Sequence, residues 1–472
     1  MTIPLTRRTL LGATLAAPSL AHAQAAARLL VVGGGFGGAT AASFARREYP
    51  WLDVTLVEQR QSYVTCPYSN RVLAGDLALP DITHGYEGLR AMGVRVIHDR
   101  AVHLDPVARR LRLGGGETLS YDRMILSPGI ALRYEALEGY DEAASTRMPH
   151  AWIAADGAQI TLLRRQLEAM PDGGVVGLVI PPNPYRCPPG PYERISLIAS
   201  YLSKHKPRSK ILALDAKDTF SKQALFQDAW QALYPGMIEW VSATNDGRVV
   251  RVDPEAMVLE TEFGTRHRVD VANVIPPQTA AAIATEGELV DSTGWVPVNP
   301  RTLESRIAPG IHVVGDAMFP GPMPKSGFLA SSEAKAAVSA AAALLRGAAP
   351  PEPLFVNTCY SHIGPDYAIS VANIFHADTR AGSFLEVPGS GGTSRAAACR
   401  SSGGWRLYTP MAGTPASHVT CSVRNAQRLC FLGPEASSKA QLLPRQKYGA
   451  VGTMVGSSGQ HGSSGELTAD AL

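Results

Sequence analysis

Short apolar runs recur along the chain, and each is followed by a turn and then a stretch of helical spacing. Residues 29–32, 54–57, 175–180 and 211–214 are continuous rather than alternating in hydrophobicity, the pattern of strands buried on both faces of a parallel sheet. Helical patterns lie between them, at the turn after residue 32, over residues 152–170 and over 194–202. Strand, helix, strand therefore occurs twice, the order of a parallel sheet wound with helices. Residues 94–102 read as a strand leading into a hairpin that turns at Gly114, Gly115 and Gly116, and residues 121–129 as a strand ending in Ser-Pro-Gly. Residues 310–317 are a further strand, and an Ala-rich helix whose body over 334–345 is packing follows a Pro/Gly turn. From about Pro388 the texture becomes Ser/Gly-rich with little periodicity.

The first turn carries chemistry. Gly33, Gly35 and Gly38 form G-x-G-x-x-G between a strand and a helix, and Glu58 ends the next strand. The first glycine permits the tight turn, the second lets backbone approach a pyrophosphate, and the third lets helix pack on strand. The helix N-terminus offers N–H groups to the phosphates, and the acid can accept from a ribose hydroxyl. A dinucleotide is expected here. The corresponding connection of the second unit, "PPNPYRCPPGPYER", has six prolines and only Gly190 for close backbone approach. Prolines remove N–H donors, so this unit is expected to keep the shape of a nucleotide-binding domain without the phosphate cradle, which argues against NAD(P)H as electron donor. Asp316, at the end of a strand with Gly315 clearing space, suits a ribityl hydroxyl of FAD. The N-terminus of the following helix suits the pyrimidine oxygens of a reduced, anionic flavin.

The 472 residues allow two or three domains. A hydrophobic share of 45% with 18% charged residues fits a globular chain, and a formal charge of +3 demands neither nucleic acid nor a membrane surface. Thr6-Arg7-Arg8-Thr9-Leu10-Leu11, a modest apolar run and Ala21-His22-Ala23 read as a twin-arginine signal over residues 1–23. Its removal takes two arginines and no acid, lowering the charge from +3 to +1. Export of a folded protein to the periplasm is expected, where disulfides persist. No other stretch reads as a transmembrane helix, so no stable membrane insertion is expected.

Six cysteines remain to be placed. Cys399, Cys421 and Cys430 lie in the Ser/Gly-rich tail at no metal-ligand spacing. Cys66, in "QSYVTCPYSN", reads by itself as a small buried hydrophobe. Cys187 and Cys359 each sit in an unusual segment where the domains meet; by themselves they fit a structural staple or a redox pair equally. Glu193, on the loop of Cys187, fits a proton shuttle or a helix-capping acid.

The stretches "VVGGGFGG", "YVTCPYSN", "IPPNPYRCPPGPYER", "NVIPPQTA", "GWVPVNPRTLES", "IHVVGDA" and "PMPKSG", with the Cys359 segment, make residues 26–388 resemble the flavoprotein subunit of flavocytochrome c sulfide dehydrogenase. The resemblance implies an α/β fold of two Rossmann-like dinucleotide-binding-type domains plus a small C-terminal α+β domain. The expected boundaries are 26–138 and 276–346 for the FAD-binding domain, 139–275 for the NAD-binding-like domain, 347–388 for the C-terminal interface domain and 389–472 for the atypical tail. It implies FAD joined to Cys66 by an 8α-S-cysteinyl bond, a redox disulfide Cys187–Cys359 at the flavin, and a c-type cytochrome subunit as partner. The chain has no C-x-x-C-H, so haem is expected only on that partner. The candidate cofactor-binding residues are Gly33, Gly35, Phe36, Gly38, Glu58, Gln59, Cys66, Val102, Gly129, Gly315, Asp316 and Lys325. The catalytic candidates are Cys187, Cys359 and Glu193, with no metal site.

The expected reaction follows from thiol chemistry. Hydrosulfide attacks Cys187 of the disulfide, leaving a persulfide there and releasing Cys359 as a thiolate that reduces the flavin. Glu193 moves the proton. The Ser/Gly-rich tail departs from the ordered, aromatic-containing end of the family and puts partner docking in question. Two alternatives stand beside this reading. A sulfide:quinone oxidoreductase predicts an amphipathic C-terminal segment and a third cysteine near the domain crossing, where His150 and its neighbours offer no thiol. The other is a non-catalytic flavin-binding accessory protein of sulfur oxidation.

Overall fold

A computed structural model describes residues 26–394. The twin-arginine stretch, Cys399, Cys421 and Cys430 lie outside the described residues. The chain begins with strand β1 (Ala27–Val32), helix α1 (Phe36–Glu48) and strand β2 (Leu52–Val57). Helix α2 (Ser69–Ala74), strand β3 (Arg95–Ile97) and strand β4 (Arg123–Leu126) follow. The second unit runs α3 (Ala158–Ala169), β5 (Val175–Ile180), α4 (Gly190–His205), β6 (Lys210–Asp215), α5 (Gln223–Leu233), β7 (Ile238–Val241) and β8 (Val271–Val274). The chain then forms β9 (Ile311–Val313) and α6 (Gly327–Leu345), and ends in strands β10 (Leu354–Gly364), β11 (Tyr367–Asp378) and β12 (Ser383–Glu386).

Two parallel sheets carry the architecture, as the continuous apolar runs imply. The first has the order β9-β4-β1-β2-β3, the second β7-β6-β5-β8. Strand β9 pairs with β4 at the edge of the first sheet, 185 or more residues after β4 in sequence, so the segment after β8 is laid back on the opening domain. The helices cover these sheets: α1 and α6 pack on each other over the first, and α4 lies over the second with all residues from Gly190 to Leu202 buried. Strands β10, β11 and β12 form an antiparallel sheet, completed by Gly392–Thr393 against β11. Helices α4 and α6 pack against β10, which brings this sheet over the ends of both domains.

Three expectations are corrected. Residues 94–102 are not one strand: β3 stops at Ile97, and Ala101–Asp105 joins a separate antiparallel sheet. Asp99 breaks the run, its carboxylate accepting from Arg100 N and Gly115 N. The helix expected from residue 152 starts at Ala158, because residues 151–157 form a loop with Ala151 and Ala155 in the left-handed region. The strand expected over 310–317 ends at Val313, and Gly315–Ala317 is a tight helical turn.

Helix α6 also departs from the membrane expectation in one respect. By length and composition it is apolar enough to cross a bilayer, with a mean hydropathy of 1.3. Its apolar character comes from alanines that let it pack closely on α1, and 56% of that window is buried in the protein.

Candidate active site

A cavity of about 800 Å³ lies where these parts meet, lined from the first domain, the proline-rich loop, the N-terminus of α6 and strand β10. The glycine turn forms one wall. Gly33 has φ +94° and donates its N–H to Val57 O at 2.9 Å. A side chain on Gly38 would meet Gly33 O at 1.7 Å, so only glycine permits this approach of α1 to the turn. Gly35, Phe36 and Gly37 open the helix onto the cavity, and its first turn has no side-chain cap. The Glu58 carboxylate, beside Gln59 on the cavity wall, accepts from Gly34 N at 2.7 Å and Arg60 N at 3.0 Å. It fixes the glycine turn and lines the cavity.

The opposite end is built around Asp316. Gly315 N donates to Glu333 Oε2 at 2.6 Å, which holds the turn carrying Asp316 against α6. Lys325 Nζ donates to Asp316 O and Met318 O at 2.7 and 2.6 Å and lies 3.7 Å from the Trp295 ring centre. Burial pulls the Lys325 ammonium down to about 7, with Asp316 and Glu333 opposing, and pushes Glu333 up to about 8. Ser326 caps α6 by accepting from Leu329 N, and Lys325, Ser326, Gly327 and Phe328 bring the helix N-terminus to the cavity. Gly129 also lines it. Val102 does not: it is half-buried in the separate antiparallel sheet, and its neighbour Ala101 reaches the cavity. Gly38 acts from behind the wall.

The three thiols Cys66, Cys187 and Cys359 share the cavity and are unbridged. Cys187 has φ +54°, a strained conformation for a residue with a Cβ. Its N–H donates to Lys325 O at 2.7 Å, and its O accepts from Gly190 N at 2.7 Å. The proline-rich loop is thereby tied to the first domain at one end and to α4 at the other. Burial raises the Cys187 thiol well above its ordinary value, and the neighbouring Cys359 charge adds to this. The Cys359 thiol is raised by burial and lowered by Lys222. Cys66 receives a hydrogen bond from the Arg186 guanidinium, which also donates to Trp152 O and lies over the Trp152 ring.

Glu193 sits at the start of α4 and is buried at 9% exposure. Its Oε1 accepts from His362 N at 3.0 Å, and its Oε2 from Asn70 Nδ2 at 3.4 Å. Burial raises its pKa, against these hydrogen bonds and the charges of Lys222 and Arg194. A carboxyl so placed holds its proton above the usual carboxylate range and can surrender it within the cavity. Arg194 anchors the neighbourhood: it donates to Asn70 Oδ1, Asn273 Oδ1, His150 O and Ala151 O at 2.7–3.1 Å.

Sequence reasoning missed Asn70, Arg186, Lys222 and His362, which the fold brings to this site from four different segments. Arg186 adjoins Cys187 in "YRCPP" and was within reach of inspection; the other three carry no local signal.

The chain's own side chains pack together at the end of the second sheet. At the C-terminal end of β6, Asp215 accepts from Tyr192 Oη at 2.6 Å, Trp240 Nε1 at 3.0 Å and Lys217 Nζ at 2.5 Å. Tyr192 stacks on Phe220 with ring centres 3.6 Å apart.

Residues 160–276 match the model for the central region of the sulfide dehydrogenase (flavocytochrome c) flavoprotein chain. Residues 351–403 match that for the flavin-binding region of flavocytochrome c sulphide dehydrogenase, and residues 27–166 that for the pyridine nucleotide-disulphide oxidoreductases. The flavoprotein chain of sulfide dehydrogenase (flavocytochrome c) from Chlorobaculum thiosulfatiphilum is 56% identical over 45 residues, 10% of this chain and 94% of that sequence. The mitochondrial sulfide:quinone oxidoreductase of Mus musculus is 26% identical over 296 residues, 61% of this chain. The alignment spans 65% of the mouse protein's length. Among solved structures, the sulfide:quinone oxidoreductase of Aquifex aeolicus is similar with a TM-score of 0.61 at 19% identity, over 77% of this chain and 87% of that one. Putidaredoxin reductase, in its covalent complex with putidaredoxin, has a TM-score of 0.57 at 16% identity, over 74% and 81%. These two likenesses establish the fold, that of FAD/NAD(P)-binding oxidoreductases.

Proposed function

The chain belongs to the flavocytochrome c sulfide dehydrogenase flavoprotein family, within the pyridine nucleotide-disulphide oxidoreductases, and from that premise we propose that it is an FAD-dependent sulfide:cytochrome c oxidoreductase. The observation that carries the reading is the meeting of Cys187 and Cys359, from segments 172 residues apart, on a cavity that also holds the glycine turn and Glu193.

The cavity fits FAD. Gly33, Gly35 and the uncapped start of α1 suit the pyrophosphate, Glu58 a ribose, Asp316 the ribityl chain, and Lys325 with the N-terminus of α6 the pyrimidine edge. Cys66 stands on the same wall as the point of covalent attachment. When bound, FAD supplies a two-electron acceptor for a thiolate and a route for single electrons to a haem partner.

In the oxidised enzyme Cys187 and Cys359 form a disulfide. Hydrosulfide attacks Cys187 Sγ, a new S–S bond forms as the old one breaks, and the electron pair leaves on Cys359 Sγ. Glu193, whose hold on a proton is strengthened by burial, exchanges the proton of the incoming sulfur. The side chains packed around Asp215 and the proline-rich loop support sulfur rather than NAD(P)H as the electron source. Electrons leave for a c-type cytochrome, and residues 1–23 direct export to the periplasm by the twin-arginine route.

A second reading, transfer to quinone, is favoured by the match to the mouse sulfide:quinone oxidoreductase. Anaerobic titration of the flavin spectrum with sulfide tests the shared chemistry, and re-oxidation by cytochrome c against a short-chain quinone separates the two acceptors. Cys187→Ala and Cys359→Ala are each expected to abolish bleaching by sulfide with FAD retained. Rapid bleaching in either variant rejects the disulfide. Bleaching absent in the unmutated protein leaves a flavin-binding accessory role.

A further inference from the structure

Lys222 is placed against every local preference. It has φ +63°, in the left-handed region that residues with a Cβ avoid. It occupies the N-cap of α5, where the positive end of the helix dipole disfavours a cation. Its side chain is only 8% exposed, and among the described residues no carboxylate lies within ion-pair distance of it, Glu193 acting from farther away. A buried ammonium without a paired carboxylate is costly. Three local conflicts at one residue mark a position held for what the side chain reaches.

What it reaches is the Cys359 strand. Lys222 Nζ donates to Ser361 Oγ at 2.8 Å and to Cys359 O at 3.4 Å. Residues two apart on a strand share a face, so a cation anchored on Ser361 Oγ lies on the side of β10 that carries the Cys359 thiol. We propose that Lys222 is the counter-cation of the thiolate formed at Cys359, a positioning residue that makes Cys359 rather than Cys187 the leaving sulfur. The proposal rests on the disulfide reading given above. The balance is that of thiol–disulfide exchange: hydrosulfide bonds to Cys187 Sγ, the Cys187–Cys359 bond breaks, and its electron pair becomes the charge on Cys359 Sγ beside the Lys222 ammonium.

The surrounding charges agree. Lys222 lowers the Cys359 thiol against the effects of burial and of Glu193, whereas Cys187 is raised by burial, the Cys359 charge and Glu193, with Arg186 opposing. Lys222 itself is lowered by burial and supported by Cys359, Glu193 and Cys187. Glu193 from α4, Cys187 from the proline-rich loop and His362 from β10 are thus the titratable groups facing this pair.

The test is the pH profile of alkylation in the holoenzyme, reduced anaerobically with a phosphine and treated with iodoacetamide. Cys359 and Cys187 peptides are quantified separately by mass spectrometry. Lys222→Met is expected to raise the Cys359 midpoint by about one pH unit, about tenfold slower alkylation below the midpoint, with Cys187 shifted less. Lys222→Arg is expected to restore it. An unchanged Cys359 midpoint in folded Lys222→Met, or equal shifts of both thiols, overturns the proposal. Should Lys222→Met not fold, Ser361→Ala keeps the lysine but removes its anchor, and an unchanged Cys359 midpoint there overturns it equally. Sulfide takes no part in the measurement. Failure of the unmutated protein to bleach with sulfide therefore sinks the functional reading, while the alkylation profile decides the role of Lys222.

Discussion

Replacing Glu333 by glutamine should change the pH dependence of stability in a defined window. Glu333 is 2% exposed, lies in the middle of the contact between α6 and the Asp316 turn, and holds Gly315 N at 2.6 Å. Burial lifts its pKa from 4.5 to about 8. The unfolded chain therefore releases this proton near pH 4.5, whereas the folded protein keeps it to about pH 8. The stability this carboxyl contributes is complete below 4.5 and drains away as pH rises towards 8. At about 1.36 kcal/mol per pH unit, the loss between about pH 5 and pH 7.5 comes to about 3 kcal/mol. Lys325 acts in the opposite sense. Its pKa falls from 10.5 to about 7 on folding, so stability rises with pH across that range as the unfolded ammonium is neutralised.

Glu333→Gln keeps the shape and the acceptor for Gly315 N but cannot ionise. Relative to the unmutated protein, it is expected to gain about 3 kcal/mol on going from about pH 5 to pH 7.5. The difference is read from denaturant midpoints of the holoenzyme at the two pH values. An infrared titration supplies the local readout: a protonated carboxyl band that persists through neutrality in the unmutated protein and is missing from the variant. A stability difference that stays flat over this window, with no such band, refutes the argument, because it means that Glu333 is ionised beside Lys325 in the folded protein.

Two further outcomes follow from the cavity. Cys66→Ser is expected to leave FAD extractable by acid precipitation, whereas the unmutated protein retains it; flavin that washes out of the unmutated protein disproves the covalent bond. Gly38→Ala places a methyl group 1.7 Å from Gly33 O, and the backbone shift needed to relieve it should cost about 1–3 kcal/mol and lower the FAD content. An unchanged thermal midpoint with full flavin occupancy would show that the turn yields without harm.

The parts of this molecule that local physics dictates were legible from the chain alone. The β1–α1–β2 unit is written in contiguous residues: an apolar run, three glycines at fixed spacing and a terminal acid. The same holds for β5, whose observed limits Val175–Ile180 coincide with its apolar run. Residues whose roles depend on distant partners were not legible. Lys222 meets Cys359 O across 137 positions, and Asn70 meets Arg194 across 124; no spacing rule links such pairs. Asp99 escaped for a different reason, since hydrophobic periodicity does not register a side chain that binds nearby backbone N–H groups.

The proline-rich loop has a structural consequence that its sequence alone does not carry. In the first domain the strand-to-helix turn is glycine-rich, and it presents backbone N–H groups at the start of α1. In the second, the turn between β5 and α4 occupies the same place in the fold but is stiffened by prolines and presents a side chain, Cys187, just before α4 begins. Its backbone is committed elsewhere, Cys187 N to Lys325 O and Cys187 O to Gly190 N. A turn that has given up its N–H groups cannot cradle phosphate, but it can hold a strained thiol in one orientation against the other domain. A backbone short of free N–H groups and a positioned sulfur are then two results of one proline-rich sequence.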